Sequence, residues 1–508
     1  MSKIFNLFFL LFALSLFSCE FPTQESLIEE SKGALWAVPL LKDEIKIQDI
    51  FVDDNDGVSV FSDTEGKVIV TYEGEVLRDP ASVVFPPIPG IIPIPLIDTI
   101  FELDLTMGGG TLNEIDSAVF LRDFLHFRIK SSSTTPFVVT GWIDEINKDG
   151  SKFVQTIGFP GSPTGVELEF AGEEVKLEGW NLIGNDNKVT FHYKALDLSG
   201  EPVDNVEVEV FFNILEFSYV QGYFPKTIRP VTGSFIPINL YSRWLSGTMD
   251  FVEPKVTMDV ENSFGFAVGA EFQQMSIETI DGMELAMESD IITNGIIFEY
   301  PELDEIDVIK NTNFDFNKDN SNIAIIFNDR VAKFNYTIDA VANPLNEPDF
   351  LGFMTNNSFY AVQVKVEVPM HLAIKDLQLV DTLDLNFDVT NEYLDTAELK
   401  VILENNFPID VSAQLYMLDA NNNIIDSIFQ EGEKFLKGGT YVDGGVLQDI
   451  DEQTYFVEFS EDKIDNLLKS KRILVKPTFI STPNGEDKIW IYDNYNLQIK
   501  MGAKFSLK

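Results

Sequence analysis

The sequence predicts an all-β chain of three tandem antiparallel β-sandwich modules with short helical turns, and three observations predict it. Apolar and polar residues alternate with a period of two, as in Val206-Glu207-Val208-Glu209-Val210 and Val364-Lys365-Val366-Glu367-Val368. That is the spacing of strands with one buried and one wet face. Breaks such as Asp54-Asn55-Asp56-Gly57, Leu198-Ser199-Gly200 and Pro483-Asn484-Gly485 separate these runs, and Gly and Asn tolerate the positive φ that hairpin turns need. Finally, several local patterns recur in one order along the chain. Strands with one wet side bury the other most simply when two sheets pack face to face.

The repeats set the module count. Val260-Glu261-Asn262-Ser263-Phe264-Gly265-Phe266-Ala267-Val268-Gly269-Ala270 matches Leu403-Glu404-Asn405-Asn406-Phe407-Pro408-Ile409-Asp410-Val411-Ser412-Ala413 at its Glu, Asn, Phe, Val and Ala positions. Proline-bearing strands, Ile236-Pro237-Ile238-Asn239-Leu240 and Val368-Pro369-Met370-His371-Leu372, precede the two copies. A fainter counterpart runs from Ile94-Pro95-Leu96 to Ser133-Thr134-Thr135-Pro136-Phe137. A strand end entering a capped helical turn follows each time, at 168–175, 298–306 and 457–464, and a closing strand comes next. Elements recurring in one order point to repeated modules. The proline-bearing junctions at Tyr223-Phe224-Pro225 and Asn343-Pro344-Leu345 then divide the chain into 34–225 (with an N-terminal extension), 226–345 and 346–508. The best helix candidate runs from Glu461 to Lys471 with Ser460 as N-cap.

Residues 1–18 read as a signal peptide: Lys3 supplies the positive start, and 4–17 are almost purely apolar. Such a segment rises only about 21 Å as a helix, short of the ~30 Å hydrocarbon core. Leu16-Phe17-Ser18-Cys19 resembles the lipobox of bacterial lipoproteins. The resemblance implies acylation of Cys19, a tether over 19–33 and residence at the outer membrane, held by the acyl chains. Glu20 and Glu25 are compatible with sorting to either of its faces. Cys19 is the single cysteine, which excludes disulfides and a thiol nucleophile in the body of the protein. The Asn-x-Phe-Pro pattern and the alternation after it, Asn405 to Leu415, resemble LEA-type and WHy β-sandwich domains. Signal and module style together resemble large envelope lipoproteins of the Bacteroidota, a resemblance that implies no particular activity.

Composition narrows the functions. With 36 basic and 82 acidic residues the net charge is −46, which repels nucleic acid and anionic head groups and attracts only cations or basic partners. At 45% hydrophobic residues, 43 of them Phe, the chain is too apolar for disorder. Catalysis is not expected. The only histidines, His126, His192 and His371, lie in separate strand-like contexts, and no Gly-x-Ser-x-Gly elbow, phosphate loop or His-Glu-x-x-His pair occurs. Paired carboxylates that could hydrolyse glycosides are unavoidable by chance among 82 acids, so a hydrolase stands last.

Candidate sites are few. Asp54 and Asp56, and separately Asp315, Asn317 and Asp319, offer oxygen ligands at alternating positions as structural calcium loops do. Neither is an EF-hand, because Val52 and Ile326 occupy ligand positions, and plain turns are the competing reading. Tyr223, Phe224, Tyr241 and Trp244, with Tyr219 and Phe235 nearby, form an aromatic group at the first junction that offers a protein or glycan surface, with core packing as the competing reading. The proline-rich strip 85–96 either covers an inter-strand crossover or docks a partner. The expected function is therefore a non-catalytic, lipid-anchored scaffold or accessory binding subunit of an envelope assembly, secretion or surface complex. A surface glycan-binding lipoprotein is the alternative.

Overall fold

The computed structural model describes residues 35–46, 58–89, 94–104, 114–212, 214–230, 233–241, 243–347, 350–385, 394–442, 445–482 and 484–507. The chain is all-β as expected, with 63% strand and 6% helix and antiparallel sheets, many of whose strands bury every second side chain. In Glu207–Phe212, Val208 and Val210 turn inward while Glu209 meets Arg128 and Lys130 outside. In Phe359–Pro369, Val362, Val364, Val366 and Val368 are buried.

Two compact units share the chain, neither of them continuous. The first comprises 1–70, 239–253 and 368–508. One of its sheets runs Leu35–Lys46, Asn496–Leu507, Leu394–Asn406, Asp451–Phe459. Another runs Trp244–Phe251, His371–Leu379, Arg472–Ile480, Asp410–Leu418, Ile424–Ser427. Leu399, Val401 and Leu403 of the former and Val411, Leu415, Val475 and Phe479 of the latter are fully buried. The helix spans Glu461–Lys469, two residues shorter than expected, and buries Lys463, Ile464 and Leu467. Ser460 is its N-cap in position, but the Ser460 side chain makes no capping hydrogen bond.

The second unit comprises 71–238 and 254–367. Its large sheet runs Gly352–Thr355, Ile214–Tyr223, Glu114–Arg122, Asn181–Ile183, Phe137–Lys148, Lys188–Asp197, Ile100–Asp104, with Ser151–Phe159 also paired to Phe137–Lys148. The facing sheet runs Leu168–Ala171, Phe124–Ser131, Glu207–Phe212, Ile94–Leu96, and Phe191 meets Phe212 edge-on between the two. A further pair of sheets is built on Val268–Thr279 with Val331–Ala342, and on Lys255–Asn262 between Phe359–Pro369 and Lys310–Phe316. Phe272 and Phe316 join these edge-on.

The division at 225 and 345 is corrected. Leu35–Lys46 pairs with Asn496–Leu507, Trp244–Phe251 with His371–Leu379, and Gly352–Thr355 with Ile214–Tyr223, so each expected module lends strands to another. The physical reason is that a sheet edge accepts any strand of matching alternation. A junction proline marks a turn and says nothing of where the next strand pairs.

What the repeat encodes is a corner between sheets. Asn262 ends a strand of one sheet and Val268 begins a strand of its neighbour; Asn405 and Val411 lie one residue inside the corresponding strand ends, Asn406 and Asp410. In both corners the buried amide oxygen accepts the backbone N–H two residues on, from Phe264 at 3.0 Å and from Phe407 at 3.1 Å. Both Phe rings are fully buried. The fainter copy is a corner too, made with hydroxyls: Ser131 accepts from Ser133 N–H, and Ser133 from Thr135 N–H. At the expected position a helix follows only the last copy; 298–306 forms turns and 168–175 short strand pieces.

Candidate binding surface

The outer face of the large sheet carries a row of side chains that the sequence analysis did not single out. Along Phe137–Lys148 the odd residues Phe137, Val139 and Ile143 are buried, so Thr140, Trp142 and Asp144 face outward. Register places His192 directly opposite Trp142, Ile100 opposite His192, and Val154 on the other side of Trp142. Ile100, His192, Trp142 and Val154 thus form one row across four strands.

Within that row the His192 and Trp142 rings are stacked, 5.0 Å apart and 5° from parallel. The ammonium of Lys152 lies 5.3 Å from the Trp142 ring centroid. Asp144 ties the cluster together, accepting from Lys152 Nζ at 2.9 Å and lying 3.0 Å from His192 Nε2. The Lys152 hydrogen bond, opposed by partial burial and helped by the charges of Lys152 and His192, holds the Asp144 carboxyl below its ordinary value.

Beside the row lies a groove of about 740 Å³, lined by Thr99, Ile100, Trp142, His192, Tyr193 and Glu207 among others. Burial, and the nearby Asp98, push the Tyr193 hydroxyl upward. Ile100 in its lining is 60% exposed, and Ile97 and Leu198, each two residues along the chain from the lining residues Thr99 and Leu196, are 81% and 80% exposed. Such a strip can cover an apolar surface of a partner while the polar lining fixes its orientation.

All three histidines make the same arrangement. His126 stacks on Phe211 with Arg128 over that ring, and His371 stacks on Trp490 with Lys67 over it. Each histidine is the cross-strand neighbour of its aromatic partner, and the rings pack as sheet pairs.

The residues of the expected aromatic group are divided between the two units. Tyr223 and Phe224 belong to one unit, Tyr241 and Trp244 to the other. Phe224 is buried and stacked on Phe266 at 4.6 Å, and Tyr223 donates to Asn346 Oδ1. Tyr241 is buried and meets the half-buried Trp244 edge-on at 6.5 Å. Around Asp315 the polar atoms are engaged: Asp315 Oδ1 accepts from Thr257, Asn317 Oδ1 from Asp319 N–H, and Asn320 bonds both Asn317 N–H and Asp315 C=O. This is a side-chain-stapled turn, and among the described residues no group of three or more His, Cys, Asp or Glu side chains is placed to hold a metal. Asp54, Asp56 and Cys19 lie outside the described residues. Of the proline-rich strip, Ile88–Pro89 pairs with Ile214 and Leu215, Ile94–Leu96 with 208–210, and Phe85 packs on Phe217. Those parts pair as short strand pieces within the sheets.

Sequence gave one signal for the row: outward Trp142 and Asp144 on an alternating strand. That His192 and Lys152 join them depends on register, which alternation alone does not specify.

No family model and no curated protein matches the chain. Among solved structures, a protein classed as secreted from Parabacteroides distasonis ATCC 8503 is similar at 11% identity, covering 93% of this chain and 99% of that one, with a TM-score of 0.29. The structure of infectious bursal disease virus Gx strain aligns at 8% identity over 94% of this chain and 80% of that one, with a TM-score of 0.15. At such scores neither likeness bears on fold or function. Among the described residues no helix is long and apolar enough to cross a membrane.

Proposed function

We propose that this chain is a non-catalytic, lipid-anchored outer-membrane lipoprotein, serving as a scaffold or accessory binding subunit of an envelope assembly, secretion or surface complex. The observation that carries the reading is the 740 Å³ groove lined by the exposed Ile100, with the exposed Ile97 and Leu198 two residues along the chain from its lining residues Thr99 and Leu196. Exposed aliphatic side chains grouped beside a groove are what a protein partner covers. The lipobox at Cys19 supplies the tether. A glycan ligand is less well served, because stacking on a sugar needs a bare ring face, and Trp142 has His192 on one face and Lys152 close by.

Purification of the full chain from detergent-solubilised membrane tests the proposal. The expected result is a stable, stoichiometric protein partner, lost in the Ile100→Asp/Leu198→Asp variant, with a mature amino terminus that mass spectrometry shows to be acylated Cys19. A free monomer that binds polysaccharide would overturn the scaffold reading, and an unmodified terminus would overturn the tether. Protease shaving of whole cells tells which membrane face it occupies.

A further inference from the structure

A second exposed surface lies in the same unit, on the loop between Ile296–Ile297 and Lys310–Phe316. Four aliphatic side chains crowd into seven residues there: Leu303 is 49% exposed, Ile306 44%, Val308 39% and Ile309 43%. A single exposed aliphatic residue is ordinary; a run of them in a connection that solvent would fill with polar residues is not.

The loop holds its shape without help. Glu305 N–H donates to Glu302 C=O and Val308 N–H to Glu305 C=O, making two successive turns. The Glu305 carboxylate accepts from Glu302 N–H at 3.0 Å and from Lys310 Nζ at 2.7 Å, clamping both ends of the first turn. Asp307, at φ 65°, accepts from Thr355 Oγ1 at 3.1 Å and fixes the second turn to a neighbouring segment. Tyr300 meets Phe350 edge-on at 5.8 Å, and the next residue, Leu351, is itself 45% exposed. A loop fixed in this way loses little conformational freedom when something binds it.

Charge states what that something is. Glu302, Asp304 and Asp307 are exposed among the aliphatics, while Lys310 is already engaged with Glu305. On a chain of net charge −46, an anionic lipid surface or another acidic protein is repelled here. We infer that the loop 302–309 is a docking surface for a folded protein partner that presents an apolar depression rimmed by Lys or Arg side chains. This rests on the reading of the chain as a binding protein and adds to the groove a second contact of defined chemistry, as a scaffold joining two partners requires.

The test places a photo-crosslinking benzoylphenylalanine at position 309 of the full-length tethered protein in its native cells. One heterologous protein adduct is expected, from a partner whose cross-linked surface is apolar and basic-rimmed. Its yield should fall at least tenfold in the Leu303→Ser/Ile306→Ser variant. It should also fall in Glu302→Lys/Asp304→Lys, and lose there its sensitivity to added salt. Hydrogen exchange on Lys310–Phe316 and Val268–Thr279 should stay native in both variants, so that a loss is not unfolding. A homodimer adduct, a lipid adduct, no adduct above that from the same probe at the exposed Ile325, or a yield indifferent to the substitutions would overturn the inference. The groove variant Ile100→Asp/Leu198→Asp should leave this adduct intact. Copurification unchanged in the groove variant, with the adduct formed as expected, would count against the proposed function's groove alone, and groove-dependent copurification with no adduct against the loop alone.

Discussion

The corners at Asn262 and Asn405 begin alike and differ at their fourth residue, Gly265 in one and Pro408 in the other. Each has a fully buried Asn that bonds the N–H two residues on and a fully buried Phe beneath it. The surroundings diverge from there. Gly265 exchanges backbone hydrogen bonds with Phe353, its N–H donating at 2.8 Å, and a Cβ on Gly265 would lie 2.0 Å from the Phe353 ring. At the other corner Gly438 lies against Pro408 and Ile409, and the Asn405 amide donates to both Ile409 C=O and Lys437 C=O. The shared Asn and Phe set the bend, and the neighbouring segment selects the fourth residue.

The hardest way to break the comparison is to exchange the fourth residues. Gly265→Pro removes the bond to Phe353 and drives a ring into the Phe353 side chain, so a loss of about 3 kcal/mol or more is expected. Pro408→Gly should cost only about 1 kcal/mol, mostly by freeing the unfolded chain. Hydrogen exchange on the strands flanking each corner reads both changes; equal losses would mean that the fourth residue is not set by its neighbour.

Next come the asparagines. Asn405→Ala strands Phe407 N–H, Ile409 C=O and Lys437 C=O in the interior, and should cost about 3 kcal/mol. Asn262→Ala strands Phe264 N–H and Glu299 C=O, and should cost about 2 kcal/mol. At the hydroxyl corner, Ser133→Ala removes a bond in a half-buried turn and should cost less than about 1 kcal/mol. Local exchange protection at Asp410–Leu418, Val268–Thr279 and Phe137–Lys148 should fall in that order; a larger loss at the serine corner would show that the amide is not what makes the other two firm.

These corners also mark how far the sequence was legible. The Glu-Asn-x-Phe pattern and the alternation around it sufficed for all-β sheets and for a recurring unit, because both are local: a pleat exposes every second residue, and an Asn oxygen reaches the N–H two residues on. Strand pairing was not legible. Leu35–Lys46 finds its partner in Asn496–Leu507 at the far end of the chain, and nothing in either strand names the other. The candidate surface was hidden for the same reason, since Trp142, His192, Lys152 and Ile100 meet only once four strands are in register. The aromatic group expected from Tyr223 to Trp244 is divided between the two units, because the chain passes from one to the other at 238–239.

The finest contrast between the corners is their response to acid. Phe124–Ser131, the strand entering the hydroxyl corner, carries His126, whose buried Nδ1 has no hydrogen-bond partner among the described residues. Burial, with the Arg128 charge adding to it and Glu174 opposing, pushes the His126 imidazole below its ordinary value. The folded state therefore holds a neutral ring at a pH where the unfolded chain has taken up a proton. Stability from this residue is complete above the unfolded value near 6.5, declines as the pH falls below it, and levels off beneath the folded value. Amide exchange in Phe124–Ser131, corrected for its intrinsic pH dependence, should accelerate modestly between pH 7.5 and 5, and His126→Gln should abolish the acceleration. The strands Lys255–Asn262 and Leu394–Asn406, which lead into the asparagine corners, contain no histidine and should show no such change over that range. An acceleration that survives in His126→Gln would place the acid sensitivity elsewhere and leave the three corners alike in this respect.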